Sequence, residues 1–200
     1  MNQYHPLLEE AVYAFQDQRL VGLLGEITGI KDLYPDDHLY AGGISLMSKG
    51  CFLNPHIDNS HDYEGEKYRV LNLLYYVTPD WKEENGGNLE FWDRGVKEHC
   101  RTIVSKFNRL AVMTTYRSSW HSVSKVSAGH SRCCISNYYF SPHSNEGKEY
   151  YHVTSFRGRP EEKLRDLVLL GALAVRNLIG KCIRSFTRGN IKTFHVYKKR

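Results

Sequence analysis

Chemistry is most concentrated in the run Asn54-Pro55-His56-Ile57-Asp58. In an extended segment side chains alternate, so positions 56 and 58 point to the same side and an imidazole and a carboxylate converge. A lone His-x-Asp is weak evidence in a chain with ten histidines and needs a third ligand. His121 supplies a candidate, in Ser119-Trp120-His121-Ser122-Val123 on a separate β-rich run. Two imidazoles and one carboxylate on one face of a metal ion leave other positions open for reactants. A structural zinc site would instead fill its positions with Cys and His. Arg132 follows His121 by eleven residues, at the start of the next β-rich run. Its guanidinium is always charged and can grip a carboxylate through two hydrogen bonds, which Lys or His does less well. Alternation places Arg132, Cys134 and Ser136 on one face. Taken singly, Arg132 reads more simply as a surface ion-pair residue. It is the four residues together that point to a metal with a dicarboxylate beside it.

Such a constellation needs stiff elements to hold it. Short β-rich runs recur across residues 38–140: HLYAGGISLM, CFLNPHID, YRVLNLLYYV, NLEFWD, HCRTIV, RLAVMTTY, WHSVSKV and RCCISNYYFS. Turn signals such as Asn85-Gly86-Gly87 separate them. About eight short strands at this spacing predict a β-sandwich or barrel, and jelly rolls have eight. Before them, residues 6–25 carry apolar residues at 8, 12, 15, 20, 23 and 24, with Pro6 suited to a first turn. We read one amphipathic helix there. After them, residues 141–160 (SPHSNEGKEYYHVTSFRGRP) are loop-like, and LRDLVLLGALAVRNLIGKCIRSF is strongly helical. The expected organisation is therefore helical support over 1–34, a β domain over 35–142 and a basic loop-plus-helix extension over 143–200.

Composition narrows the class. Two hundred residues with 41% hydrophobic and 24% charged make an ordinary globular chain of one catalytic-sized domain. No uninterrupted 18-residue apolar run is present, which argues against a membrane span. The N-terminus lacks a basic-then-apolar leader. The five cysteines include an adjacent pair but no C-x-x-C, so we expect a reduced, cytoplasmic chain. The net charge of +5 hides a split. Residues 157–200 hold twelve Lys/Arg against three acids, and the rest is net acidic. A basic appendage of this kind suits an anionic partner or serves as a solvated tail. Its helix, with a wide apolar face bordered by Arg and Lys, suits an anionic membrane surface. Packing on the β domain or on a protein partner is the commoner fate of such a helix. Nucleic acid is disfavoured, because a base-flipping enzyme needs its positive charge near the catalytic groups, and here those lie in the acidic part.

The order His56-x-Asp58, His121, Arg132, all on predicted strands, resembles the Fe(II)/2-oxoglutarate-dependent dioxygenase superfamily, and most closely its prolyl 4-hydroxylase-like catalytic domain. More than the ligands agrees. Arg69–Val77 (RVLNLLYYV) resembles the family's long strand after the first metal motif, and Glu84–Phe91 (ENGGNLEF) its GG-x-L-x-F hairpin. Asn108–Val112 resembles the strand before the second histidine. The resemblance covers roughly half the chain, about residues 38–140. It implies a double-stranded β-helix (a jelly roll), mainly β with flanking helices. It carries over His56, Asp58 and His121 as Fe(II) ligands and Arg132 as the partner of the distal carboxylate of 2-oxoglutarate. It also implies hydroxylation of an unactivated C–H bond by dioxygen, with succinate and CO2 released and ascorbate as a reductant.

Departures from the family pattern fall around the presumed co-substrate pocket. Prolyl hydroxylases of this type often carry Lys where Arg132 stands, Ser where Cys134 stands and Tyr where Met47 stands. Asn72 and Tyr76 are the candidates to replace the missing contacts. A carboxylate at 58 argues against halogenation, since family halogenases place Gly or Ala there. His61 and Asp62 lie close enough to be mistaken for ligands, and we read them as substrate contacts at most. Tyr150, Tyr151 and His152 could form a substrate lid. Loops 59–68 and 141–158 would meet a small-molecule or peptide substrate, which the residues do not name. A jelly roll without keto-acid chemistry, cupin-like or purely binding, is the alternative.

Overall fold

The computed structural model describes residues 5–186, with side chains described as far as residue 175. Among these residues three α-helices flank ten strands. The strands are β1 (Tyr34–Pro35), β2 (Gly43–Met47), β3 (Leu53–Ile57), β4 (Tyr68–Tyr76), β5 (Leu89–Phe91), β6 (Arg101–Ile103), β7 (Arg109–Thr114), β8 (His121–Val123), β9 (Arg132–Ser141) and β10 (Ser155–Phe156). They form two antiparallel sheets. In the larger, β9 and β7 flank β4, while β1 and β2 pair with the two halves of β9 on its other edge. The smaller runs β10-β3-β8-β5-β6. Each of the eight β-rich runs contains one strand, and the jelly-roll reading holds. The two-residue strands β1 and β10 lie outside those runs, because two residues carry no readable alternation.

The N-terminal segment differs from the single helix expected. It comprises α1 (Pro6–Tyr13), a 3-10 turn (Ala14–Gln16) and α2 (Gln18–Thr28). Asp17 makes the break. Its backbone is extended and its carboxylate accepts from the Arg19 amide at 2.9 Å, so it caps a second helix. Gly29, left-handed at φ 71°, closes that helix.

Alternation on β4 and β9 divides the large sheet into two faces. The odd residues Leu71, Leu73 and Tyr139 are fully buried against Val21 and Leu24 of α2. The Tyr139 hydroxyl and the Asn137 amide donate to the carbonyls of Phe15 and Val12. The even residues Asn72, Tyr76, Arg132, Cys134 and Tyr138 therefore face the other sheet.

The Gly86-Gly87 turn shows why glycine is needed at two successive positions. Both have positive φ, 70° and 64°. A Cβ on Gly86 would overlap the Lys125 carbonyl oxygen, and one on Gly87 would press on Arg132 Cδ and Val126 Cγ2 at 3.0 Å. Gly86→Ala is expected to lower the melting temperature by roughly 10 °C, since steric overlap with backbone adds to the cost of φ. A thermal scan that shows no loss would mean that the turn adopts another path.

The C-terminal helix α3 (Lys163–Phe186) is joined to the body at its start. The Arg157 guanidinium meets the Asp166 carboxylate at 2.6 and 2.8 Å, and the Gly158 amide donates to the same carboxylate at 2.9 Å. Asp166, Leu169 and Leu173 are half-buried, whereas Leu164, Leu167 and Val168 are 82%, 68% and 69% exposed. The expected packing of this helix on the β domain is thus confined to one side. Helical content was legible, but periodicity cannot say whether an apolar face has a partner. The last part of the basic tail, 187–200, lies outside the described residues.

Candidate active site

β3 and β8 are neighbours in the small sheet, and their register places His56 directly opposite His121. Paired residues share a face, so the two rings lie together with centroids 4.1 Å apart. Asp58 follows one residue beyond β3. Its Oδ1 lies 3.6 Å from His56 Nε2 and its Oδ2 3.6 Å from His121 Nε2. One donor atom from each residue fits within 4.8 Å of the others. Both histidines are about 5% exposed.

The orientation of the rings is fixed from behind. His56 Nδ1–H donates to the Asn54 carbonyl and His121 Nδ1–H to the Ser119 carbonyl, each at 2.9 Å. A carbonyl can only accept, so both imidazoles hold their proton on Nδ1 and turn the Nε2 lone pair toward Asp58. Burial, reinforced by the nearby His121, pushes His56 down to about 4, so it is neutral at pH 7. Burial alone would raise the Asp58 carboxyl. The Arg69 guanidinium beside it opposes that and holds it below its usual range, ionised. Neutral nitrogens and a carboxylate, all partly desolvated, suit a divalent cation.

The residues missed by sequence reasoning surround this triad. Arg69 is 2% exposed, and its Nη1 lies 3.5 Å from Asp58 Oδ2. The guanidinium stacks 4.1 Å above the Tyr138 ring, and its Nε and Nη2 have no protein acceptor. Simple alternation would have put Arg69 with Leu71 and Leu73 on the outer face. The register shifts between Arg69 (opposite Phe140) and Leu71 (opposite Tyr139), so a bulge at Val70 carries Arg69 to the inside. The available signal was a single arginine at the head of an apolar strand. Phe156 on β10 pairs with His56, and their rings stack at 5.2 Å. Behind β8, the Glu90 carboxylate accepts from Ser122 Oγ at 2.5 Å and from Arg159 Nη2 at 2.7 Å. The Trp92 indole donates to Ser122 Oγ at 2.8 Å. This buried network braces the strand that carries His121. Trp92 is thus a packing residue with a polar role.

Arg69→Leu removes a cation from beside Asp58, so the carboxyl is expected to rise toward neutrality and to be lost to protons at higher pH than before. Metal affinity should then fall more at pH 5 than at pH 8, because protons compete with a metal for the carboxylate only near its own titration range. Titration with Co(II) at the two pH values checks this. An equal loss at both would assign Arg69 a steric role only.

Arg132, Cys134, Tyr76 and Met47 form the second cluster. Met47 pairs with Arg132, and Tyr76 with Cys134. Arg132 is 3% exposed. Its Nη2 reaches Met47 Sδ at 3.2 Å, and its guanidinium lies 5.4 Å from the Tyr76 ring centroid. Its Nε and Nη1 have no acceptor, and no carboxylate among the described residues pairs with it. A buried, unpaired guanidinium is costly unless an anion arrives to meet it. Burial pushes the Tyr76 hydroxyl up to about 12, so it stays protonated and able to donate. Burial likewise pushes the Cys134 thiol up to about 11, leaving it neutral. Asn72 Oδ1, on the same inner face, is buried and without a donor. The donor set fits a small dicarboxylate. His61 is not among the three converging donors; its ring is tilted against Tyr68 at 4.5 Å and stacked on Tyr151 at 5.5 Å. Tyr150 and His152 stack on each other at 5.5 Å, and the His152 amide donates to Ser60 Oγ.

A jelly roll with two histidines and an aspartate around one point, and a buried arginine without a protein anion, has the donor set of a facial-triad metal site with an anion pocket beside it. Residues 42–140 match the family model described as the 2OG-Fe(II) oxygenase superfamily. The mouse (Mus musculus) prolyl 3-hydroxylase OGFOD1 is 30% identical over 142 residues, 62% of this chain. The chain spans 25% of the length of that relative. Among solved structures, an oxidoreductase of the 2OG-Fe(II) oxygenase family from Burkholderia pseudomallei superposes with a TM-score of 0.54 at 17% identity, over 72% of this chain and 61% of its own. A prolyl hydroxylase from Trichoplax adhaerens, solved with a hypoxia inducible factor oxygen degradation domain peptide fragment, is 26% identical over 49% of this chain and 42% of its own, with a TM-score of 0.40.

The chain belongs to the 2OG-Fe(II) oxygenase superfamily. Its cofactors are Fe(II) and the co-substrate 2-oxoglutarate, and the His56–Asp58–His121 set fits the metal.

Proposed function

We propose that this chain is a 2-oxoglutarate-dependent dioxygenase that hydroxylates an unactivated C–H bond, and that its substrate is a prolyl peptide. The observation that carries the reading is the pairing of two sites, each incomplete without a ligand. One is a triad whose imidazole lone pairs are aimed at a common point by backbone carbonyls. The other is a buried guanidinium with no protein anion. The likeness to a mouse prolyl 3-hydroxylase supports the prolyl class.

Fe(II), when bound, supplies the activation of dioxygen and of the keto acid. The chain's own residues do the rest. His56, Asp58 and His121 would hold the ion. Arg132 holds the distal carboxylate of 2-oxoglutarate, with the Tyr76 hydroxyl as a further donor. Arg69, clamped between Asp58 and Tyr138, keeps the carboxylate ionised and leaves its Nε and Nη2 without a protein acceptor. Phe156, Tyr138 and the Tyr150–His152 pair line the surroundings with rings, which exclude water from a reactive site.

The test is succinate release from 2-oxoglutarate, with Fe(II) and oxygen, across proline-containing peptides, free amino acids and small biosynthetic intermediates, with Asp58→Ala as the control. Peptide-stimulated, Fe(II)-dependent succinate that vanishes in the control is expected. Turnover stimulated only by a small molecule would keep the dioxygenase and replace the substrate class. No turnover of 2-oxoglutarate by metal-loaded protein would remove both.

A further inference from the structure

The first half of α3 presents a stripe that nothing in the fold explains. Leu164, Leu167, Val168 and Val175 are 57% to 82% exposed, and Leu170 is 39% exposed. At 100° per residue, positions 164, 168 and 175 fall within a narrow arc. The half-buried Asp166, Leu169 and Leu173 lie on the opposite side, toward the body. The helix is tied down there by Arg157 and Gly158 on Asp166. The stripe thus points away from the sheets. A contiguous aliphatic surface of this kind marks an interaction site.

Charge selects the partner. From residue 167 to the end, the chain holds eight Lys/Arg and no Asp or Glu. Helical spacing puts positions 176, 181 and 184 outside the 164–168–175 arc. A second copy of the chain would bring the same uncompensated positive charge against itself, which opposes pairing. An anionic bilayer meets both demands at once. Aliphatic side chains enter the interfacial region while Lys and Arg meet the headgroups. No helix among the described residues is long and apolar enough to cross a membrane, so the helix would lie along the surface.

We propose that α3 docks this protein on an anionic lipid surface, with Leu164, Val168 and Val175 toward the acyl chains and the jelly roll on the water side. The experiment is flotation of the full chain with vesicles of phosphatidylcholine alone and of phosphatidylcholine mixed with phosphatidylserine. The protein should float with the phosphatidylserine vesicles, stay behind with phosphatidylcholine alone and be released by salt. The triple variant Leu164→Asp, Val168→Asp, Val175→Asp should bind at least ~100-fold more weakly. Because these side chains are exposed, its circular dichroism should match the parent. Absence of phosphatidylserine-dependent flotation overturns the proposal, and so does a triple variant that floats equally well. A dimer seen by analytical ultracentrifugation, abolished by the triple variant without any vesicle binding by the parent, assigns the stripe to a second copy instead.

Discussion

His121→Ala is expected to reduce Fe(II)-dependent succinate formation to background, a loss of at least ~1000-fold, and to weaken metal binding by more than ~100-fold. The magnitude follows from geometry. Among the described residues three donors converge, and outer-shell partners alone are worth 10–100-fold in affinity, so losing a ligand must exceed that. The fold should survive. His121 is paired through its backbone with Phe91 and His56, and Ser122 next to it remains locked by Glu90 and Trp92. The measurements are Co(II) titration by absorbance, succinate release and circular dichroism. A His121→Ala protein that keeps native metal affinity would mean that another group completes the site, and the assignment of the triad would fail. His56→Ala should behave alike, because His56 sits in the same pair of strands with the same backbone acceptor behind it.

Arg132→Leu is expected to act on the co-substrate rather than on the metal. Truncating one partner of a buried, hydrogen-bonded charge pair costs about 2–5 kcal/mol, so the 2-oxoglutarate KM should rise by roughly 30-fold or more. Metal affinity in the absence of 2-oxoglutarate should be close to that of the parent. The second readout has the opposite sign. In the free protein the Arg132 guanidinium is 3% exposed with Nε and Nη1 unpaired. Replacing a buried unpaired charge with an apolar side chain removes a desolvation cost, so the ligand-free variant should melt higher than the parent. Arg132→Lys should recover part of the affinity, as a point charge without the planar fork. A variant with an unchanged KM would show that the dicarboxylate is held elsewhere.

Reading by residue type and alternation reached much of this molecule, and it stopped where local geometry departs from regularity. His56, Asp58 and His121 were legible because two lie on one strand face and the third opens a short strand of its own. Arg132, Cys134 and Tyr76 were legible because β9 and β4 alternate without interruption around them. Arg69 was not, because the bulge at Val70 inverts its face and nothing in RVLNLLYYV announces an extra residue. The division at Asp17 was missed because the apolar spacing continues across it, and only the capping geometry shows the break. β10 was hidden in a loop-like stretch, since its order comes from pairing with β3 and not from its own two residues. The open stripe on α3 lies beyond sequence patterning altogether, because a hydrophobic face reads the same whether covered or bare.

The position of β10 bears on how this protein can be cut. The family-model match ends at residue 140, yet β10 closes the outer margin of the sheet that carries both histidines. A fragment trimmed at that boundary would strip β3 of its neighbour, free its unpaired amides and carbonyls for other chains, and uncover the back of the His56 ring. The stretch matched by the family model is therefore shorter than the sheet that carries the histidines. Engineers shortening this protein should keep the segment through Asp166, whose carboxylate fastens the end of that strand.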